Sequence, residues 1–492
     1  MWYGVSSIAA RFINYLLTPL LTYNLASKAD YGKIGLVYSA IPILNIIFTY
    51  GFETAYFRFY SKDEYKKDIY NTASISLIVS TIFFTSLLWI FQSAFGTAIG
   101  LNDFPAIIQL SIFIIALDAL STIPFAKLRQ DGRPRMYAII KIAGILFNIL
   151  VTWFYVAWCP KHVKTGDNSF LIFLYNPSTN PVVYVMLANV IQSAFTLLLL
   201  SKEIKKIHFN FNTKLWKEMM IYSLPLIIVG MGGMINETFD RLMLSWWLPG
   251  SRDYRESQIG IYNACYKLSI LISLFIQAFR MGAEPFLFKQ AEGTDAPRTY
   301  ARVMKFFVIT VCITFLLITL FIPVWRYFIK ENYWEGLSIV PILVVANMCL
   351  GIYYNLSIWY KVSNRTRAGA TITLIGTAIT CIINFLFIPY FGYMASAWAT
   401  LACYASMMVI SFLWGQKAYY VPYAWKKLLA YMAIVILLFF VHKGITYFYD
   451  NDIFSLSVGS IFTMAFIYFV LKIEKKEFIA MPVVGKFVAK YI

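Results

Sequence analysis

Apolar runs about 20 residues long recur along the whole chain, at roughly 4–24, 36–57, 71–93, 105–126, 136–157, 181–201, 218–245, 259–279, 303–323, 337–360, 368–388, 394–415, 428–442 and 453–471. A helix of that length crosses the hydrocarbon core of a bilayer. The pattern predicts an all-α polytopic membrane protein with 14 transmembrane helices, the thirteenth short. The polar gaps alternate in charge. Those after the even-numbered helices, with the C-terminal tail, hold about 29 of the 42 Lys and Arg residues, and those after the odd-numbered helices hold about 9. Short cytoplasmic loops are the ones that carry such an excess, so both termini are expected on the cytoplasmic side. A missed or invented helix would scramble the alternation, so it supports the count as well as the orientation.

Three stretches recur in the same order in the two halves. "DYGKIGLVYSAIPIL" (30–44) is matched by "ESQIGIYNACYKLSIL" (256–271), "GFETAYF" (51–57) by "GAEPFLF" (282–288), and "KLRQDGRPR" with Asn148 by "KVSNRTRAG" with Asn384. Each repeat holds six helices, an even number, so the copies share one orientation. The expected organisation is two parallel six-helix bundles, 1–201 and 218–415, joined by the basic cytoplasmic linker 202–217. Helices 13 and 14 and a basic tail, 416–492, stand outside the repeat. Parallel repeats about an axis along the membrane normal are a transporter architecture, with the site expected between the halves.

Composition narrows the classes. The chain is 60% hydrophobic and 13% charged, with a mean hydropathy of +0.66, against about half and a quarter in soluble domains. A net charge of +18 would suit nucleic acid, but the basic residues are scattered over short loops, so no nucleic-acid partner is expected. The six cysteines form no C-x-x-C pair and five lie in apolar runs, as small packing residues do. His162, His208 and His442 are far apart, so no metal site is expected. No phosphate-binding G-x-x-x-x-G-K-[ST] is present, and no cofactor is expected. The longest outer connection, 159–180, leaves no room for a soluble catalytic domain, which argues against an enzyme. The first run lacks a basic leader and reads as an uncleaved first helix.

Charges inside the runs are the candidate chemistry, since each costs roughly 2.5–3.5 kcal/mol at a helix centre and normally faces protein or water. Apart from Lys305 at the very start of its run, four basic residues remain there: Arg11, Lys141, Arg241 and Lys267. Lys267 lies roughly 12 Å and Arg11 roughly 10 Å from the nearer helix end at 1.5 Å per residue. Lys141 and Arg241 lie nearer an end, within reach of the interface. The acids include Glu53, Asp118, Glu237 and Asp240. For Asp118 the expected role is a structural ion pair with a basic neighbour. In "NETFDR" (236–241), Asn236, Glu237, Asp240 and Arg241 share an arc of about 140° on a helix. Two readings stand: a self-neutralising Glu237–Arg241 pair at i, i+4, or the polar wall of a cavity. Upstream, Pro225 and "GMGG", with Gly230, Gly232 and Gly233, soften the same helix into a candidate hinge.

The stretch from "SSIAARFINYLL" to "GFETAYFRFYSK" resembles the N-terminal signature of the Wzx-like polysaccharide flippases of the MOP exporter superfamily. "SLPLIIVGMGGMINETFDRLML" is similar to the seventh helix of that family. The resemblance implies a MATE-like pair of six-helix bundles. It implies a flippase that carries an oligosaccharide on undecaprenyl pyrophosphate from the cytoplasmic to the periplasmic leaflet, for O-antigen, capsule or exopolysaccharide. Helices 1, 2, 7 and 8 would line a cationic cavity, carrying Arg11, Lys267 and Arg241 as binding candidates; Lys141, on helix 5, is a further candidate. Glu53, Glu237, Asp240 or Asp118 would couple H⁺ or Na⁺ or act as a gate. The partners implied are the lipid-linked oligosaccharide, membrane lipids, and polysaccharide polymerase and chain-length machinery. Alternatives are a lipid II flippase, a MATE-type antiporter and a membrane polymerase. Against the first, Arg11 is followed by Phe12 rather than an acid; against the second, the deep surplus charge is basic.

Overall fold

The computed structural model describes residues 9, 11–164, 174–291, 293, 295–449 and 451–479. Among these the regular structure is helical, without a strand. Residues 11–15 and α1 (Leu17–Asn24) belong to the expected first span; its beginning, part of the 159–180 loop and the tail beyond Ile479 lie outside the described residues. Thirteen helices long and apolar enough to cross a membrane follow. They are α2 (Lys28–Thr49), α3 (Ile69–Ile90), α4 (Pro105–Gln130), α5 (Pro134–Val163), α6 (Pro181–Leu199), α7 (Thr213–Thr238) and α8 (Arg252–Gln290). The rest are α9 (Ala296–Thr319), α10 (Ile339–Val362), α11 (Thr366–Phe391), α12 (Tyr393–Ala418), α13 (Trp425–Tyr447) and α14 (Asp452–Ile473). They match the second to fourteenth apolar runs.

Three runs differ from their helices. The run at 36–57 is broken, because Tyr50 and Gly51 take left-handed backbone at φ 34° and 73°. Gly51 adopts that geometry without a Cβ penalty. The chain resumes as the helix Phe52–Tyr60, whose Phe52, Ala55, Tyr56 and Phe59 are buried with Ile69, Leu215 and Met219. The run at 218–245 is interrupted at Phe239 and resumes as the helix Asp240–Trp247. Finally, α8 has 39 residues, roughly 58 Å at 1.5 Å each, about twice the hydrocarbon thickness; the apolar run was only its middle.

The helices show the inverted faces of a membrane protein. On α3, Ala73, Ser74, Ser76 and Thr81 are buried, while Val79, Ile82, Phe83 and Ile90 are exposed. Small and polar residues let helices approach and bond; large apolar ones suit lipid. Residues 1–264 and 370–403 form one compact unit, and 265–369 with 404–492 form another. In the first, α4 packs on α2, α3 and α6, and α7 packs on α2. In the second, α9 packs on α10, α13 and α14.

Within the first unit α2 and the start of α8 meet backbone to backbone. A Cβ on Gly32 would stand 1.9 Å from the Glu256 carbonyl oxygen, and one on Gly260 would stand 2.1 Å from that of Lys28. We expect Gly32→Ala and Gly260→Ala each to cost about 1–3 kcal/mol, as overpacking does. Thermal unfolding in detergent reads this as a lowered Tm. Gly233→Ala, where nothing lies within 4 Å, should leave Tm unchanged or slightly raised.

In the basic linker, Glu203 is buried and accepts hydrogen bonds from Arg133 at 2.5 Å and Lys206 at 2.9 Å. Tyr70 donates to its carbonyl at 2.7 Å. Burial alone would raise the Glu203 pKa, but Lys206 and Arg133 outweigh it and hold the carboxyl below the usual range. Its stabilisation is therefore fully present above the unfolded value of about 4.3 and is lost as pH falls through the lower folded value. In Tm against pH, Glu203→Gln should lie below wild type at pH 7 and converge with it in acid. Parallel curves would remove this pair from the stability account.

Candidate functional site

Three groups of charges are placed by the helices just described. The first is at the α7 break. Asp240 opens the helix Asp240–Trp247, and its Oδ1 accepts from the Arg241 backbone N–H at 2.9 Å and from Arg241 Nη1 at 2.8 Å. Its Oδ2 accepts from the Tyr262 hydroxyl on α8. Arg241 also donates to the Glu237 carbonyl at 3.0 Å, and its guanidinium lies over the Tyr262 ring, 5.3 Å from the centroid. Asp240, Arg241 and Tyr262 are all buried. The i, i+4 ion pair expected between Glu237 and Arg241 is thus corrected: Arg241 pairs with its neighbour Asp240. Glu237 contributes its backbone oxygen to Arg241 while its side chain is exposed.

The second group joins the ends of α2 and α8 opposite the basic side of the membrane. Lys33 Nζ lies 3.0 Å from Asp30 Oδ1 and 3.6 Å from Glu256 Oε2, and 4.5 Å from the Phe104 ring centroid. Arg252 Nε donates to Glu256 at 2.8 Å, and its Nη groups reach Asp103 and the Gly100 carbonyl. Asn180 donates to Asp30 at 3.1 Å. Asp30, Lys33 and Glu256 are at most 7% exposed. Sequence reasoning missed this group. Asp30 and Lys33, at i, i+3, and Arg252 and Glu256, at i, i+4, carry a local signal; the rest is tertiary.

The third group lies at the basic ends. Glu53 pairs with Arg129, whose guanidinium sits 4.8 Å from the Phe57 centroid. In the other unit Glu284 is 2.5 Å from Lys361 and 3.6 Å from Arg280. Glu53 and Glu284 occupy matched positions of the repeat, and each meets a cation at the end of α4 or α10.

The remaining candidates stand apart. Asp118 accepts from Ser193 Oγ at 2.8 Å. Lys141 acts on it electrostatically but makes no contact ion pair, and lies 4.2 Å from the Phe125 centroid. The expected ion pair at Asp118 is therefore a hydrogen bond, with the cation at longer range. Arg11 is exposed and Lys267, inside α8, is half-buried. Pro225, Gly230, Gly232 and Gly233 lie within unbroken α7. Gly232 is a close contact, its carbonyl accepting from Thr377 Oγ1 at 3.1 Å. Among the described residues no cluster of three His, Cys, Asp or Glu side chains suits a metal.

No curated protein matches the chain closely enough to count as a relative. Its fold is similar to that of "Lipid II flippase MurJ, inward closed conformation", with a TM-score of 0.72, 14% identity, and coverage of 96% of this chain and 98% of that one. It is also similar to the inward-facing conformation of a multidrug resistance MATE family transporter of the MOP superfamily, with a TM-score of 0.63, 13% identity, and coverage of 86% and 95%. The outward-facing conformation of such a transporter gives 0.56, 13%, 88% and 94%. At these identities the likeness is one of fold. Residues 1–291 match the family described as "Polysaccharide biosynthesis protein". With more than half of its length in that match and a fold of the MOP type, the chain belongs to the polysaccharide biosynthesis protein family.

Proposed function

We propose that this membrane protein flips a lipid-linked oligosaccharide, carried on undecaprenyl pyrophosphate, from the cytoplasmic to the periplasmic leaflet of the inner membrane. The observation that carries the reading is the family match joined to basic residues deep in apolar spans, Arg11 and Lys267. A diphosphate cannot enter hydrocarbon unaided, and charge-assisted hydrogen bonds from Arg or Lys are the fitting recognition. Arg241 is a weaker candidate than it looked, because Asp240 already neutralises it. The alternation of basic loops supports cytoplasmic termini.

The acids sort by the same logic. Asp240, Glu53 and Asp118 are engaged by Arg241, Arg129 and Ser193. Glu237 is exposed, and its carboxylate meets no side-chain donor among the described residues. We assign the H⁺ or Na⁺ coupling role to Glu237 first. The polymerase and chain-length machinery are the partners that would receive the flipped unit.

The headgroup must leave on the side where Lys33, Asp30, Glu256 and Arg252 hold α2 to α8, so that group has to open in the cycle. Breaking one partner of a buried ion pair costs about 3–5 kcal/mol. Lys33→Met and Glu256→Gln should each cut surface polysaccharide at least tenfold, and the double variant, which removes both charges of the pair together, should lose less than the two single losses combined. A double variant whose loss equals the product of the two single losses would remove the Lys33–Glu256 contact from the cycle.

Arg11→Ala and Lys267→Ala should each abolish surface polysaccharide at normal protein level; wild-type polysaccharide in both would reject their binding role. In a deletion strain, complete lipid-linked units should accumulate on the cytoplasmic side. Single unpolymerised units outside the membrane would instead identify a polymerase and overturn the flippase reading.

A further inference from the structure

A cavity of about 360 Å³ opens in the second unit between α9, α10, α12 and α13. Its walls are Val308, Leu356, Val409, Leu413 and Leu429, with Trp425 at one end. The volume falls within the range of about 300–1,000 Å³ typical of small-molecule sites. Val409, Leu413, Trp425 and Leu429 are 47–53% exposed, so the cavity opens on the surface that faces the bilayer. It differs from the lipid-facing surface of α3 in being concave and built from four helices.

Its depth says what fits. Trp425 is the first residue of α13, at the basic side of the membrane, where indole rings favour the interface. Val308 lies at the far end, and from Ala296, the first residue of α9, to Val308 is roughly 18 Å at 1.5 Å per residue. The hydrocarbon of a single leaflet is about half of 30 Å. The cavity therefore runs the depth of one leaflet and no further.

Charge at the mouth selects the headgroup. On α12, Val409, Leu413 and Lys417 follow one another at i, i+4, i+8, so Lys417 continues the cavity-lining face to the basic end. On α13, Lys426 stands beside Trp425, its Nζ 5.7 Å from the ring centroid, and three residues before Leu429. Both lysines are exposed, and among the described residues neither forms an ion pair. Their neighbour Lys427 is bound to Glu474 at 2.6 Å. Two uncommitted cations sit over an apolar slot, on the side whose leaflet carries anionic lipid.

We propose that this groove binds one phospholipid of the adjoining leaflet. An acyl chain lies between α9, α10, α12 and α13, and an anionic headgroup sits at Lys417 and Lys426. The site is independent of the flipped substrate and involves none of the residues assigned to it.

The full-length protein, extracted in mild detergent and exposed to an equal mixture of phosphatidylglycerol and phosphatidylethanolamine, tests this by native mass spectrometry. Wild type should retain one phosphatidylglycerol, at least tenfold over phosphatidylethanolamine. Val409→Trp, which fills the slot, should lose it. Lys417→Gln with Lys426→Gln, at exposed positions that leave the fold intact, should retain lipid with the preference reduced toward one. Unchanged selectivity in the lysine variant would overturn the proposal. So would equal retention by Val409→Trp, a polyprenyl phosphate in place of the phospholipid, or a second copy of the chain at the groove.

Discussion

A charge placed in hydrocarbon must be answered by a neighbour, because water is not there to do it. That constraint organises the polar interior of this protein. Asp240 accepts from Arg241 and Tyr262 at once, and Lys33 lies between two carboxylates. In each case the acid and base come with extra donors or an aromatic face, as buried ions require. Uncharged groups follow the same rule: Asn148 donates to Asn189 and Gln192, and Ser396 donates to Asn384.

The membrane-spanning helices were legible in the sequence because 20-residue apolar runs are set by bilayer thickness alone. Thirteen of them coincide with long helices. Helix interruptions were less legible. The break after Thr49 depends on two left-handed residues, and only Gly51 advertises one. The break at Phe239 carries no Pro or Gly at all, and Phe239 itself keeps right-handed helical backbone. A helical arc groups residues on one face without saying which acid Arg241 takes, and the acid it takes is its neighbour Asp240.

The candidate residues were legible as types and less so as relationships. Placement inside a span singled out Arg11, Lys141, Arg241 and Lys267 without any fold, and depth set Arg11 and Lys267 apart. Their commitments needed one: Arg241 to Asp240, Lys141 to the Phe125 ring. The network of Asp30, Lys33, Asp103, Asn180, Arg252 and Glu256 was hidden for the opposite reason. Its members sit near span ends and were absorbed into the loop-charge alternation. The contacts that join its elements, such as Asp30 with Asn180 and Asp103 with Arg252, are far apart in sequence and leave no periodic trace.

The ion pairs divide by which repeat their members come from, and this bears on how such a chain can move. Glu53 with Arg129, and Glu284 with Lys361, each stay within one repeat. They fasten the inner segment after α2 to α4, and that of α8 to α10. A rigid repeat can carry such a pair through a conformational cycle unchanged. Lys33 with Glu256, and the backbone contact of Gly32 and Gly260, join helices from different repeats. If the repeats move as bodies, these are the contacts that separate. Their chemistry suits repeated parting. Glycine surfaces part without disentangling side chains. A Lys33 that leaves Glu256 keeps Asp30, three residues away on its own helix, so neither state strands an unpaired cation.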